Sequence, residues 1–326
     1  HMKNGKISES IYKRSVLRQL HSENDDCIKA ANVGEDFAVT SNAVAVSKSF
    51  DLDIRDKDSF AMIAVCRAVN AVAQTGAIPV GLTVSVMIPT LANEADFREL
   101  VKALDKACSK TGVKLMQVDS VVTRACKTFV VTCTCIGKPG DRHTFPSKLA
   151  AGMDIIAVNY AGLEGSALLA IEREEELKKK YSIPFIDKAK KYIEYLPIIS
   201  EAAVAVQSGA DAMLSVSEGG IFAALWEMAE AAGVGLDIDL KKIPIRQETV
   251  EISEFFDINP YKLMSQGCLL IASKDGNKIV REITGAGGMA AIIGVASDSN
   301  DRVLIQGEER RFLETAQTDE IYKVFK

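Results

Sequence analysis

Residues 209–245, GADAMLSVSEGGIFAALWEMAEAAGVGLDIDLKKIPI, constrain the fold more than any other stretch. Ala212 to Val216 is a short apolar run, Ser217-Glu218-Gly219-Gly220 interrupts it, and Phe222, Leu225, Trp226 and Ala229 recur at helical spacing. That order spells a strand, a glycine turn and a helix. Gly233 and Gly235 stop the helix, and Leu236, Ile238 and Leu240 then alternate as in a strand. Such a unit belongs in an α/β domain. Two readings of Gly219-Gly220 stand side by side. Adjacent glycines before a helix let a phosphate approach unpaired N–H groups at the favourable end of the helix dipole. Equally, they let the helix pack tightly after a sharp turn.

At 326 residues the chain has room for about two domains. With 48% hydrophobic and 25% charged residues it reads as an ordinary globular protein with ample core. No uninterrupted apolar run approaches the ~20 residues of a membrane helix and no secretory leader is read, so the expectation is a cytoplasmic protein without a membrane partner. The seven cysteines include no CxxC pair, which argues against structural zinc and a disulfide framework. Cys133 and Cys135, two apart in an apolar run, share one strand face and read as small core residues. A net charge of −5 without a basic tract argues against a nucleic-acid partner.

Along the chain, 5–20 reads as a helix capped by Ser8, with Ile11, Val16, Leu17 and Leu20 as its apolar stripe. Gly34-Glu35-Asp36 precedes a strand, and Ala43 to Ser47 is another. A helix over 59–77 ends at Gly76 and leads to a strand over 81–87. A helix over 94–110, stopped by Gly112, precedes a strand over 114–118 and then Asp119. Thr128 to Ile136 is a long apolar strand, and the charged segment 137–148 is the best boundary. Beyond it come a buried strand over 154–159, a solvated helix face over 172–180, a helix over 198–208 and a strand over 268–272. Gly285-Ala286-Gly287-Gly288 reads as a loop, with ligand contact as the alternative, before the apolar run 290–295.

Several of these pieces resemble, in the same order, motifs of the AIR synthase (PurM-like) superfamily, above all its hydrogenase-maturation HypE branch and unassigned AIR synthase-related proteins. Gly34-Glu35-Asp36-Phe37-Ala38-Val39 is similar to "GEDAAV", the helix containing Asn70 to "AVND", Gly162 to Ala167 to "GLEGTA", and Ser217 to Ile245 to the family's glycine turn, "GVG" strand and "KIPI". The resemblance implies an α/β fold of two domains, an N-terminal sheet domain over 5–140 that pairs in a homodimer and a C-terminal α/β domain over 149–312. It implies ATP and Mg2+ as cofactors. It assigns Lys48, Asn70, Ser217, Gly219 and Gly220 to ATP or phosphate, and Asp36, Asp119 and Glu218 to the metal.

Three positions depart from the pattern. Lys48, Ala71 and Ser215 stand where the family carries acids, and Gln117-Val118 replace two glycines. A lysine cannot ligate magnesium at neutral pH, though it can pair directly with a phosphate. The last cysteine in this sequence is Cys268, so the expectation is a chain that does not carry a group through dehydration on a tail thiol. Two functions follow as expectations. One is ATP-dependent activation, by phosphorylation, of an oxygen on a small molecule or partner protein. The other is a non-catalytic nucleotide- or anion-binding subunit that works with a maturation partner or an active paralogue.

Overall fold

The computed structural model describes residues 5–22, 26–315 and 318–325. Two sheets organise it. The first contains β1 (Cys27–Lys29), β2 (Ala38–Thr40), β3 (Val44–Phe50), β4 (Ile78–Pro89), β5 (Lys114–Thr123) and β6 (Val130–Lys138), ordered β1-β2-β3-β6-β4-β5. Its pairs are antiparallel except β4 with β5, which a helix crossover joins in parallel. The helices of this half are α1 (Glu9–Ser15), α2 (Lys57–Ala73) and α3 (Glu94–Lys110).

Pleating decides what each strand shows to each side. Val131, Cys133 and Cys135 of β6 and Leu82, Val84 and Val86 of β4 are buried in the core that includes α2 and α3. Thr132, Thr134 and Ile136 point the other way. On that outer face the Ser47 and Thr134 hydroxyls meet at 2.8 Å and those of Ser49 and Thr132 at 2.9 Å. No other described element covers these residues, and Met87, Val121 and Ile136 are exposed there.

The second sheet holds β7 (Asp154–Val158), β8 (Ala212–Ser215), β9 (Gly235–Asp239), β10 (Leu269–Ser273), β11 (Ala290–Ser297), β12 (Arg302–Gln306) and β13 (Glu309–Phe312), ordered β13-β12-β9-β11-β7-β10-β8. Around it lie α4 (Leu163–Glu172), α5 (Glu174–Leu177), α6 (Ile183–Lys190), α7 (Ile199–Ser208), α8 (Gly220–Ala232), α9 (Gln247–Phe255) and α10 (Gly276–Gly285). The central strands β7 and β10 are buried almost throughout, as strands covered on both faces are. Ile156, Val158, Leu269 and Ile271 pack into one core with α7 and α10, while Ile155, Ala157 and Leu270 pack into another with α8.

Between the sheets runs α2. Asp56 caps it by accepting the Ser59 N–H at 2.8 Å, and Gly76, at φ +86°, follows its end. Every residue from Ser59 to Ala73 is buried, because α2 touches α3, β3 and β6 and also α7 and β8. α3 starts on a capping box between Asn93 and Asp96.

Some expectations change. α1 stops at Ser15, no residue of it is buried and Leu20 is 56% exposed. Its stripe lacks a core to enter, and polar contacts hold it instead: Trp226 Nε1 donates to Glu9 at 2.9 Å and Lys13 Nζ to Glu230 at 2.7 Å. Sequence periodicity also missed β12, β13 and α10. β13 is a fully exposed, charge-rich edge, and α10 opens on a glycine. No described helix is long and apolar enough to cross a membrane.

Candidate functional site

A polar cavity of about 380 Å³ lies where α2, β3, the end of β8 and the glycine turn meet. On β3, Val44, Val46 and Phe50 turn into the core, and the same alternation aims Lys48 into this cavity. Its ammonium contacts the Asp36 carboxylate. Burial, followed by the positive charge of Lys6, pushes the Lys48 ammonium down to about 7.

Arg67 projects from α2 onto the same cavity. Its Nη2 donates to Glu164 Oε1 at 3.0 Å, its Nη1 lies 3.7 Å from Glu218 Oε2, and its guanidinium sits 4.7 Å from the Phe50 ring centre. Glu164 is fully buried, and its Oε2 accepts the Gln266 N–H at 2.9 Å. The pair therefore ties α2 to the start of α4. Lys6 completes the cations: its N–H donates to Glu218 Oε1 at 2.8 Å and its Nζ to Glu227 at 2.7 Å.

A second, largely apolar cavity of about 230 Å³ adjoins the first. Tyr12, Val16, Val33 and Trp226 line it, and it shares Lys6, Asp36, Glu218 and Glu227 with the polar one.

The glycine turn borders both cavities, and the N–H groups of its two glycines are engaged. Gly219 N–H donates to Asp319 Oδ2 at 2.6 Å and Gly220 N–H to Ser217 O at 3.1 Å. A Cβ at Gly220, where φ is +68°, would lie 2.5 Å from Tyr261 O and 2.8 Å from Leu263 O. Asp319 also accepts the Ile321 N–H at 2.9 Å, and burial pushes its carboxyl up to about 7.

Residues 24–138 match the N-terminal domain of AIR synthase related protein, and residues 150–306 match its C-terminal domain. The chain belongs to the AIR synthase-related family. Carbamoyl dehydratase HypE of Rhodobacter capsulatus is 27% identical over 212 residues, which are 64% of this chain and 60% of that protein's length. The fold is that of HypE in a solved HypE-HypF complex (TM-score 0.76, 19% identity, 93% of this chain and 99% of the other). It is equally that of HypE solved with ATP (TM-score 0.73, 16% identity, 98% of each chain).

Within this family member, the residues assigned from sequence divide sharply. Lys48, Asp36, Ser217 and Glu218 line the polar cavity. Asn70 does not: fully buried, it donates to Leu196 O at 2.8 Å and Gln266 Oε1 at 2.6 Å and accepts the Ile198 N–H at 3.1 Å, so it braces the backbone. Gly219 and Gly220 serve the packing reading in this structure, since the chain's own Asp319 stands at the amide a phosphate would need. Asp119 pairs with Ser85, and by strand alternation points to the outer sheet face, opposite Lys48. Three strand spacings, roughly 14 Å, separate β5 from β3 in the sheet order.

The acids present do not fit a magnesium ion. Among the described residues no three His, Cys, Asp or Glu side chains are placed to hold a metal. Of the four acids lining the cavity, Asp36 faces Lys48, Glu218 faces Arg67 and the Lys6 N–H, and Glu227 faces the Lys6 ammonium, which leaves Asp51 as a lone carboxylate without an ion pair among the described residues. Arg67 went unread in the sequence, although it is the lone charge in the stretch SFAMIAVCRAVNAVAQTGA. Asp319 carried no local signal, because its partner is 100 residues away.

Proposed function

We propose that this chain binds ATP across the two joined cavities and uses it to activate, by phosphorylation, an oxygen of a small molecule or a partner protein. The observation that carries this reading is the complementarity of the cavities. One is apolar and aromatic, suited to a base, and the other is lined by Lys6, Lys48 and Arg67, suited to a polyphosphate. The solved HypE with ATP supports it by fold.

ATP, when bound, supplies a transferable phosphoryl group. Trp226 and Tyr12 would flank the base, while Lys48 and Arg67 would meet the phosphates. The ion pairs hold these cations in place before a ligand arrives, so little ordering remains to be done on binding. A second reading, a nucleotide-binding subunit without turnover, is favoured by the absence of a fitting metal set among the described residues.

The uncovered outer face of the first sheet, with β5 at its edge, supports a homodimer, and analytical ultracentrifugation should give twice the chain mass. Titration calorimetry with a non-hydrolysable ATP analogue tests the main reading. Saturable binding, weakened at least tenfold by Lys48→Met and by Trp226→Ala, is expected. Absence of binding rejects it, and binding without ATP turnover selects the second reading.

A further inference from the structure

Two amide groups on the wall of the polar cavity have their oxygens engaged and their nitrogens unengaged. Gln74 and Gln266 are each 2% exposed, and both line the cavity. Gln74 Oε1 accepts the Ser215 N–H at 2.6 Å. Gln266 Oε1 accepts the Asn70 Nδ2–H at 2.6 Å. Asn70 is in turn oriented by the Ile198 N–H, which can only donate, at 3.1 Å from its Oδ1. These contacts set which end of each amide is oxygen: directly for Gln74, and through Asn70 for Gln266. Each NH2 group is left over, and neither nitrogen has a hydrogen-bond partner among the described residues. Neither nitrogen is among the fully buried unpaired atoms, so each NH2 group opens onto the cavity, and this wall offers donors to a ligand rich in acceptor oxygens.

The placement of these donors is informative. Gln74 is the residue just past the end of α2, three after Ala71, which also lines the cavity, and its oxygen binds the Ser215 N–H. A magnesium ion would need oxygen ligands here and would meet NH2 groups instead. The charge that a metal would neutralise on a phosphate is met by Lys48 and Arg67. Asp36, whose side chain is 36% exposed, has room to turn to water when a phosphate takes its place beside Lys48.

We infer that this site holds the phosphate groups of its ligand without a divalent metal, the Gln74 and Gln266 amide nitrogens donating to phosphoryl oxygens and Lys48 and Arg67 balancing their charge. The identity of the ligand as a nucleotide rests on the function proposed above; the way its phosphates are held does not.

The test is calorimetry of the full chain with two probes, inorganic tripolyphosphate and a non-hydrolysable ATP analogue, each in EDTA and in magnesium. Gln74→Glu and Gln266→Glu keep the acceptor oxygen and the side-chain volume and remove the donors. The wild type should bind both probes in EDTA, and each variant should lose about tenfold or more there, the worth of a hydrogen bond to a charged group. Binding by the wild type only with magnesium overturns the inference, and needs no variant to fold. So does wild-type affinity in both variants. Tripolyphosphate bound in EDTA with no nucleotide bound leaves the metal-free site standing and removes the nucleotide reading. A nucleotide bound only with magnesium does the reverse, and no binding under any condition removes both.

Discussion

The Ser217-Gly220 turn and the Lys48-Arg67 corner border the same cavity, and the sequence offers the turn and Lys48, though not Arg67, as anion contacts. The turn has the amide of its first glycine closed by a carboxyl group of the same chain, Asp319 Oδ2 lying 2.6 Å from the Gly219 nitrogen. The corner presents side-chain cations and, beside them, two amide groups with unengaged nitrogens. A glycine pair reports what the backbone must do at that point. What a ligand meets is set by side chains from α2, β3 and the segment before β10, which only the fold brings together.

Arg67 provides the strongest way to break that comparison. If the corner is also a strut, Arg67→Leu should destabilise the chain by about 3–5 kcal/mol, because it strands the fully buried Glu164 without its counter-charge. Lys48→Met removes a pair in which both partners are partly exposed, and should cost at most about 1 kcal/mol. Urea midpoints of the two variants check both. Equal, small shifts would show that Arg67 is held for a ligand alone.

The turn can be sharpened in the same way. Gly220 and Gly233 share φ +68°, but a Cβ at Gly233 meets nothing within 4 Å, whereas at Gly220 it meets two carbonyl oxygens and a backbone nitrogen. Gly233→Ala should therefore cost only the left-handed backbone, about 1–2 kcal/mol. Gly220→Ala adds a clash against fixed backbone and should cost on the order of 3 kcal/mol. Thermal unfolding of the two variants measures the gap. No gap would mean that the turn yields and that its glycines are kept for something other than packing.

These pairs show where the sequence was legible. Periodicity and apolar runs recovered α2, α3, β6, β7 and α8: the helices stop at or just before a glycine, β6 alternates, and β7 is a continuous apolar run. The family resemblance assigned Lys48 to phosphate and Asp36 and Glu218 to a metal; the structure shows only that the three line one cavity. The resemblance failed for Asp119, because whether a strand residue faces the cavity or the outer side depends on register and pleat parity, to which motif spacing is blind. It failed for Asn70 because an amide at a ligand-binding position and an amide bracing Leu196 and Ile198 look identical in one dimension. Gln74, Gln266 and Asp319 went unread since each acts through a partner distant in sequence.

Asp319 sets the gentlest test, since it touches only the closure of the turn. Burial, with the charges of Glu218 and Glu164 adding to it, raises its carboxyl from 3.8 to about 7, against the two N–H bonds from Ile321 and Gly219. A carboxyl raised in this way binds its proton more tightly when the segment is docked than when it is released. Docking is thus strongest below about pH 4, weakens by at most about tenfold per pH unit up to about pH 7, and is flat above. The loss is limited to the docking energy of 319–325, which Arg173 also holds through Val324 O at 3.2 Å and the Phe325 ring, so global stability should barely move. Asp319→Asn keeps an acceptor for Gly219 and removes the titration. Hydrogen exchange of the Gly219 and Ile321 amides, taken as the ratio of wild type to Asp319→Asn at each pH, should rise from pH 5 to 7 and then level. A ratio constant across that range would mean that the carboxylate is held charged by its two N–H bonds, and the turn would then be closed to phosphate at every pH.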